Sequence, residues 1–480
     1  MASRQTRMCS ASPLPYSINA SKDLKPMDDL SNAYPTHDPE WVRDMHADHY
    51  LQSWSNQGGR PRVITGASGS WFWDSDGKRY LDFQSQLVNA NLGHQHPKIV
   101  QAIKDQADKL CYIGPAMGSD VRSELAAIMN EITPPNITST FFTTGGSAAN
   151  ETAIRLARHY TGRTKIIARY RSYHGATGGT LSLTGDPRHH LTRADMPGVV
   201  RMLDPYHYRC PMGHEDPTKC PVCLGGPHLE ELLMYENPQT VAAVILETVV
   251  GTNGIILPPD GYMQSIADTC RKHGILLICD EVMAGFGRTG KWFALDHWGI
   301  EPDIITSAKG INSGYVPLGT MSVSKDLHDW MRGTPLPGGL TYAGHPLACA
   351  SGVAAIRAMQ EEDTLTHATT MGQKLRTELH KLAEKHPSIG DIRGLGMFNG
   401  IELVKNRETR EPLVPFAAKG DAAKPMTEMM SFAMTEGLYL SFYSNIIRLT
   451  PPLNISEQDL LMGLEILDKT LDIADRQTDS

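Results

Sequence analysis

Residues 275–309 read ILLICDEVMAGFGRTGKWFALDHWGIEPDIITSAK, and this stretch decides the fold. It contains two short apolar runs, at 275–279 and 303–307, whose β-branched content is typical of buried parallel strands. Asp280 ends the first run, and Lys309 follows the second closely. Because open α/β sheets bind their ligands just beyond the carboxyl ends of their strands, this carboxylate and this amine predict a binding site.

Lys309 follows an apolar run, and a charged amine is costly to bury unless it has a partner or a chemical task. The most economical task is a Schiff base with pyridoxal phosphate, in which Asp280 pairs with the pyridine nitrogen. The alternatives are an ordinary strand end and a solvated loop lysine. The G-x-G-x-x-G run from Gly285 to Gly290 predicts a tight loop beside the cofactor rather than a dinucleotide site, since no clean helix starts at its third glycine.

The composition is that of a soluble globular protein with a large domain and a smaller one. The chain has 480 residues, of which 40% are hydrophobic and 20% are charged. A net charge of −8 argues against nucleic acid as a partner. No apolar run approaches the roughly eighteen residues of a membrane span. Eight cysteines in a chain of this length do not indicate a secreted disulfide scaffold, so we expect a cytoplasmic protein.

A second signal lies at residues 139–157. A strand-like run at 140–144 is followed by Gly145, Gly146 and Ser147, and a good helical sequence begins directly after them. A strand, a glycine turn and a helix N-terminus together favour a phosphate, because the free backbone N–H groups and the helix dipole both attract an anion. The alternative is a plain βα turn.

Two further strands end in candidate site residues. The strand predicted at 165–169 leads to Tyr173, which could stack on a flat cofactor ring or be a packed surface tyrosine, and to His174, for which we expect a supporting role. The strand predicted at 241–246 leads to Glu247. The repeated order of strand, helix and strand predicts a mostly parallel sheet that is covered on both faces.

Three regions follow from these patterns. Residues 1–75 are predicted to form an N-terminal arm and a segment of a smaller domain, with a helix within 41–57 and a hairpin that turns at residues 76–78. Residues 76–345 are predicted to form the large cofactor-binding domain. Residues 346–480 are predicted to complete a smaller α+β domain.

Residues 204–229, DPYHYRCPMGHEDPTKCPVCLGGPHL, interrupt the alternation of strands and helices. Cys220 and Cys223 have the C-x-x-C spacing of zinc sites, whereas Cys210 and His214 do not form a second such pair. The alternatives are a reduced structural loop and an oxidised cysteine pair. We therefore assign no metal from the sequence; zinc at these four residues would be structural rather than catalytic.

Taken in order, the motifs resemble those of the class III (omega) aminotransferases, which are pyridoxal-phosphate enzymes of fold type I. The resemblance runs from about residue 66 to the 460s and rests on these stretches: WDSDGKRYLDF, NLGHQHP, TTGGSAANETAIRLAR, YRSYHGATGGTLSLTG, ICDEVMAGFGRTGKWFALDHWGIEPDIITSAKGINSGYVPLG, TYAGHPLACA and MFNGIELV. It implies an α/β fold with a mostly parallel, seven-stranded type of sheet and a smaller α+β domain. The insert at 204–229 and the stretch QSQLVNANLGHQHP resemble a taurine- and β-alanine-type subgroup.

The resemblance also implies roles for single residues. Lys309 would bind the cofactor and move the substrate proton, and Asp280 would keep the pyridine nitrogen protonated. Glu247 would lie near the cofactor and pair with Arg448, which is similar to an arginine that binds the α-carboxylate of the keto acid. The other residues implied to bind the cofactor are Gly146, Ser147, Tyr173, His174, Val282 and Thr341, the last reaching the neighbouring subunit. The pocket candidates, chosen by position alone, are Trp71, Leu87 and Val88.

The sequence thus predicts a pyridoxal-phosphate aminotransferase that works by a ping-pong mechanism. The donor would be an ω-amino acid or amine of the taurine or β-alanine type, and the acceptor would be pyruvate or 2-oxoglutarate. We expect a homodimer with shared active sites, and pairing of two dimers stays open. The alternatives are an aminomutase or a decarboxylating transaminase of the same fold. An alternative of another class is a non-catalytic protein that binds pyridoxal phosphate or zinc, against which the retention of Lys309 and Asp280 argues.

Overall fold

The structure is a computed structural model and describes residues 37–191 and 196–478. The chain divides into two compact units, one that ends at Val63 and one that begins at Ile64. In the first unit, helix α1 (Pro39–His49) is shorter than predicted, and Asp38 caps it by accepting a hydrogen bond from the N–H of Glu40. The predicted N-terminal arm lies almost entirely outside the described residues.

The second unit contains three sheets and most of the helices. Its strands are β1 (Ile64–Ser68), β2 (Trp71–Asp74), β3 (Arg79–Asp82), β4 (Ile137–Thr143), β5 (Lys165–Arg169), β6 (Val199–Met202), β7 (Val241–Glu247), β8 (Leu276–Asp280), β9 (Ile304–Ser307), β10 (Gly319–Ser324), β11 (Ile389–Leu395), β12 (Phe398–Asn406), β13 (Glu411–Pro412), β14 (Leu438–Tyr439), β15 (Ser441–Tyr443) and β16 (Ile446–Leu449). Its helices are α2 (Ser85–Val88), α3 (Pro97–Lys109), α4 (Asp120–Ile132), α5 (Gly146–Thr161), α6 (Gly178–Leu183), α7 (Pro221–Leu224), α8 (Gly226–Glu236), α9 (Tyr262–His273), α10 (Lys325–Met331), α11 (Pro346–Glu361), α12 (Thr364–Lys385), α13 (Lys424–Thr435) and α14 (Glu457–Asp475).

The central sheet has seven strands in the order β4-β10-β9-β8-β7-β5-β6. Strand β10 is antiparallel to both of its neighbours, and the other neighbouring pairs are parallel. The predicted mostly parallel sheet is confirmed. The register places Glu247 of β7 opposite Asp280 of β8, and Asp280 opposite Thr306 of β9. The carboxyl ends of β7, β8 and β9 therefore lie level with one another at one edge of the sheet.

The central strands are buried on both faces, as the continuous apolar runs predicted. Along β8, Leu277 and Cys279 belong to one apolar cluster, whereas Leu276 and Ile278 belong to another. Successive residues of a strand point to opposite faces, so the two clusters are the two helix-covered sides of the sheet. Burying both faces fixes the strand register and, with it, the position of the residue that follows each strand.

Two smaller sheets lie outside this core. One has the order β1-β2-β3-β14, in which β2 and β3 form the predicted hairpin and β14 adds from the C-terminal part of the chain. The other has the order β11-β12-β16-β15, with β13 paired to β12. Within it, β11 and β12 form an antiparallel hairpin. Among the described helices, none combines the length and the apolar character that a membrane crossing requires.

Candidate active site

Asp280 is buried at the carboxyl end of β8 and is held by three hydrogen bonds. Its Oδ2 accepts from Nδ1 of His174 at 2.7 Å and from Nδ2 of Asn150 at 2.8 Å. Its Oδ1 accepts from the backbone N–H of Val282 at 3.0 Å. Because the carboxylate can only accept, His174 carries a proton on Nδ1. The carboxylate is therefore fixed in position and orientation at the carboxyl end of the sheet, where open α/β sheets bind their ligands.

Asn150 is a site residue that the sequence analysis missed. Its Nδ2 bonds both the Asp280 carboxylate and the carbonyl oxygen of His174, the latter at 2.8 Å. Its Oδ1 accepts from the hydroxyl of Thr306 at 2.6 Å. A signal was present in the sequence, since Asn150 lies four residues after Gly146 and so shares a face with the first turn of α5.

Lys309 begins a short 3₁₀ turn just beyond β9 and has a φ of 48°, in the left-handed region that non-glycine residues rarely adopt. Burial lowers the pKa of its amine to about 8. The carboxylates of Asp280 and Glu247 act in the opposite direction, and the charges of Arg448 and Arg188 add to the lowering of this pKa. The amine thus loses its proton near pH 8, well below the range of an ordinary lysine, which suits a nucleophilic or proton-transferring role.

Helix α5 begins at Gly146, against Val282. A Cβ on Gly146 would lie 2.8 Å from Cγ1 of Val282, so only glycine allows this contact. Ser147 packs against the loop that follows Tyr173, where its hydroxyl accepts from the N–H of Ala176 at 3.2 Å. The structure therefore brings Gly146, Ser147 and Val282 to one place, with the free N–H groups of a helix start beside them.

Glu247 is buried and faces backbone donors. Its Oε1 accepts from the N–H of Tyr173 at 2.9 Å and its Oε2 from the N–H of Gly251 at 2.8 Å. Burial raises the pKa of this carboxyl. The expected pairing with Arg448 is not formed. Arg448 instead donates to the hydroxyl of Ser441, its neighbour across β15 and β16.

Two arginines place positive charge beside Lys309. Burial lowers the pKa of Arg448 to about 10, and the charge of Arg188 contributes to the lowering. The Nε of Arg448 is buried and has no hydrogen-bond partner among the described residues. The guanidinium of Arg188 lies 3.8 Å from the centroid of the Tyr173 ring and donates from Nε to Oδ2 of Asp186 at 2.8 Å. Arg188 carried no signal in the sequence, because it belongs to a short 3₁₀ turn, Pro187–Leu191, that no periodic pattern marks.

The remaining predicted site residues differ in their burial and in the residues that they contact. Val88 is buried beside Met283 with a φ of 59°. Leu87 is 55% exposed. Trp71 is engaged elsewhere, since its indole N–H donates to Asp459 of α14 at 3.1 Å and its ring packs on the C-terminal core. Thr341 is exposed and its carbonyl accepts from the hydroxyl of Tyr112 at 2.8 Å.

The cysteine-rich insert brings together three of its four candidate ligands. The sulfur atoms of Cys210, Cys220 and Cys223 all lie within 4.8 Å of one another. His214 is not part of this cluster.

The family model of the class-III aminotransferases matches residues 54–471 of the chain. The chain belongs to this family. Among solved structures, the taurine:2-oxoglutarate aminotransferase of Bifidobacterium kashiwanohense, in complex with pyridoxal phosphate and glutamate, is 42% identical with a TM-score of 0.88, over 92% of this chain and 99% of that one. An uncharacterized aminotransferase of Bacillus subtilis is 37% identical over 82% of this chain and 88% of its own length. The 4-aminobutyrate aminotransferase of Escherichia coli is 36% identical over 84% of this chain and 91% of its own length.

Class-III aminotransferases depend on pyridoxal phosphate, and the predicted cofactor is confirmed at the level of the family. The residues of this site fit that group. Lys309 supplies an amine with a lowered pKa, Asp280 a fixed carboxylate, and the start of α5 a set of backbone donors for a phosphate. Val282 leaves no room for a side chain at position 146, so the glycine there allows the start of α5 to lie close to the turn that follows β8.

We predict that Lys309 of the cofactor-free protein reacts with amine-directed reagents with a midpoint near pH 8. Burial lowers the pKa of this amine to about 8, so the reactive neutral form accumulates above that pH. Competitive labelling followed by peptide mass spectrometry measures the profile. Lys98 serves as the control in the same digest, because its hydrogen bonds to Glu361 and Glu362 raise its pKa. A Lys309 midpoint as high as that of Lys98 would contradict the prediction.

We also predict that Asn150→Ala weakens cofactor binding about tenfold or more, because it removes a hydrogen bond to the buried Asp280 carboxylate. The dissociation constant is measured by equilibrium dialysis with absorbance detection. Thr152→Ala is the matched control, since Thr152 lies on the same helix and its hydroxyl bonds only the carbonyl of Ala148. Equal effects of the two substitutions would show that Asn150 stabilises the helix rather than the site.

Proposed function

We propose that this aminotransferase takes an amino group from an ω-amino acid or amine of the taurine or β-alanine type and transfers it to a keto acid by a ping-pong mechanism. The observation that carries the proposed acceptor is the pair of arginines, Arg448 and Arg188, whose charges both act on Lys309. The donor class rests on the similarity to the taurine:2-oxoglutarate aminotransferase of B. kashiwanohense. Two cations beside one amine favour substrates with an anionic group at each end. We therefore favour 2-oxoglutarate over pyruvate as the acceptor, in line with the glutamate bound to the related B. kashiwanohense enzyme.

Pyridoxal phosphate, when bound, supplies the electron sink that lets the substrate carbon next to nitrogen lose a proton. In our proposal Nζ of Lys309 takes that proton and returns it. The lowered pKa of the amine supports this role, because a base must be neutral at the working pH before it can accept a proton.

Asp280 is proposed to hold a positive charge on the pyridine nitrogen. A carboxylate does this only if it stays ionised in a buried place. The hydrogen bonds from His174, Asn150 and the N–H of Val282 support the ionised form. The same bonds prevent the carboxylate from turning away, so its free lone pairs keep one direction.

Arg448 is proposed to bind the α-carboxylate of the keto acid. A guanidinium offers two parallel N–H groups to a carboxylate, and Nε of Arg448 is buried without a hydrogen-bond partner in the described chain. Arg188, which stacks on Tyr173, is proposed to attract the remote anionic group of the donor or of the acceptor. Its partner Asp186 is buried and keeps the guanidinium in place.

We further propose a cytoplasmic homodimer in which Thr341 completes the phosphate site of the neighbouring subunit. The exposure of Thr341 supports this, as does the 57% exposure of the neighbouring Tyr342, since both are free to be covered by a second copy. Tyr112 is also exposed and packs edge-on against Tyr342 at 6.0 Å between ring centroids. Exposed aromatic clusters of this kind are enriched at protein interfaces.

The function is tested by absorbance spectra of the purified enzyme after addition of single donors without an acceptor. Taurine or β-alanine should convert the spectrum of the bound cofactor to that of its aminated form, and 2-oxoglutarate should restore the original spectrum. Product formed from one substrate alone, with no acceptor consumed, would contradict the proposal and indicate a mutase.

We predict that Arg448→Ala slows the half-reaction with 2-oxoglutarate at least about tenfold, because it removes a charged partner of the α-carboxylate. The half-reaction with a donor that has no α-carboxylate should change much less. Stopped-flow absorbance measures both rates in the same preparation. Arg357→Ala, a substitution of a partly exposed arginine on α11, is the control. If Arg448→Ala slows both half-reactions equally, Arg448 has a structural role only.

A further inference from the structure

Three thiols of the cysteine-rich insert meet at one point. The sulfur atoms of Cys210 and Cys220 are 3.4 Å apart, and Cys223 lies with them inside a 4.8 Å cluster. In a tetrahedral zinc site with Zn–S bonds of about 2.3 Å, two sulfur atoms are about 3.8 Å apart. The spacing of the three thiols therefore suits a single shared cation without rearrangement of the backbone.

The local backbone is built to present these sulfur atoms. Cys220 caps α7 and Cys223 lies within that helix, so the two side chains, three residues apart, share one side of it. Cys210 opens a tight turn in which the N–H of Gly213 donates to the Cys210 carbonyl at 3.0 Å, with a φ of 72° at Gly213.

Two of the three thiols are shielded from solvent. Cys220 and Cys223 are buried and pack with Val222, and Leu203 covers the same cluster. All the described cysteines are free thiols. One disulfide among the three would use two sulfur atoms and leave the third buried beside it, whereas one metal ion would use all three.

We propose that Cys210, Cys220 and Cys223 bind a zinc ion in each subunit. Each thiol gives up its proton to solvent as the metal binds, so the three sulfur atoms coordinate as thiolates. The ion is structural, because two of its ligands, Cys220 and Cys223, are buried, and all three belong to the insert rather than to the strand ends that carry Asp280 and Lys309. The proposal does not depend on the identity of the amine donor or of the acceptor.

The expected effect of the ion is to hold the insert against the sheet that carries Arg448. The residue before Cys210 is Arg209, which donates to the buried carboxylate of Glu402 on β12, as does the hydroxyl of Tyr206. Strand β12 pairs with β16, and Gly400 lies opposite Arg448 in that register. A metal-bound Cys210 therefore restrains Arg209. Through Glu402 of β12, this restrains β16, the strand that carries Arg448.

The test is the metal content of the full-length holoenzyme, purified with added zinc and a phosphine reductant and then dialysed. Mass spectrometry of the dissolved metal should find about one zinc per subunit in the wild type. Cys210→Ser and Cys223→Ser should each reduce the content to background. Cys270→Ser is the matched control, because Cys270 is also buried but lies outside the cluster, and it should retain the metal.

A second measurement uses the wild type alone and so does not depend on the folding of a variant. Alkylation of the native enzyme should spare Cys210, Cys220 and Cys223, and removal of zinc by a chelator should make at least the partly exposed Cys210 reactive. Three outcomes would overturn the proposal: a zinc-free protein with Cys210 reactive from the start, an intact mass lower by two hydrogens that reveals a disulfide among the three, or zinc retained by both cluster variants.

Discussion

The buried carboxylate of Asp280 is the constraint on which the rest of the site depends. An ionised carboxylate deep in a protein is costly unless donors surround it, and here three parts of the chain supply them. Helix α5 supplies Asn150, the loop after β5 supplies His174, and the turn after β8 supplies the N–H of Val282. Each donor is close in the chain to a further residue of the site. Asn150 lies on α5, which starts at Gly146, and His174 directly follows Tyr173. Val282 itself packs on Gly146. One charge therefore positions several surfaces at once.

The opposite side of the site is organised by positive charge. Burial is the main cause of the lowered pKa of both Lys309 and Arg448, and the charge of Arg188 lowers both further. An anionic substrate that enters between the arginines offsets this charge effect, whereas a neutral amine does not. By the same reasoning, such an anion raises the pKa of Lys309, because it replaces part of the unfavourable interaction with an attractive one. Substrate charge and the protonation of the base are thus coupled.

The fold could be predicted from the sequence where burial on both faces forces an apolar run. Strand β5 occupies the predicted residues 165–169, and β8 ends at Asp280 as expected. The antiparallel strand β10 was beyond prediction, because the direction of a buried strand depends on its neighbours and not on its own sequence.

At the site, residues directly after strands were found, whereas Asn150 and Arg188 reach it from a helix and a loop. The expected pairing of Glu247 with Arg448 is not seen: the carboxylate accepts from backbone N–H groups, and Arg448 donates to Ser441, contacts that a sequence does not display.

The glycine-rich run of residues 285–290 shows how a familiar spacing can serve another purpose. Its centre is Arg288, which is fully buried and whose pKa burial lowers to about 9. The guanidinium donates to the carbonyl of Pro451 and, at 2.8 Å, to Oδ1 of Asn91. The flanking Gly287 has a φ of 83°, a conformation that only glycine adopts without strain, so it allows the turn to bring Arg288 inward. Pro451 follows β16 closely, so this buried cation fixes the strand that presents Arg448. A loop beside Lys309 thereby sets the geometry of the proposed carboxylate site, and the same glycines that resemble a nucleotide-binding motif are required for packing.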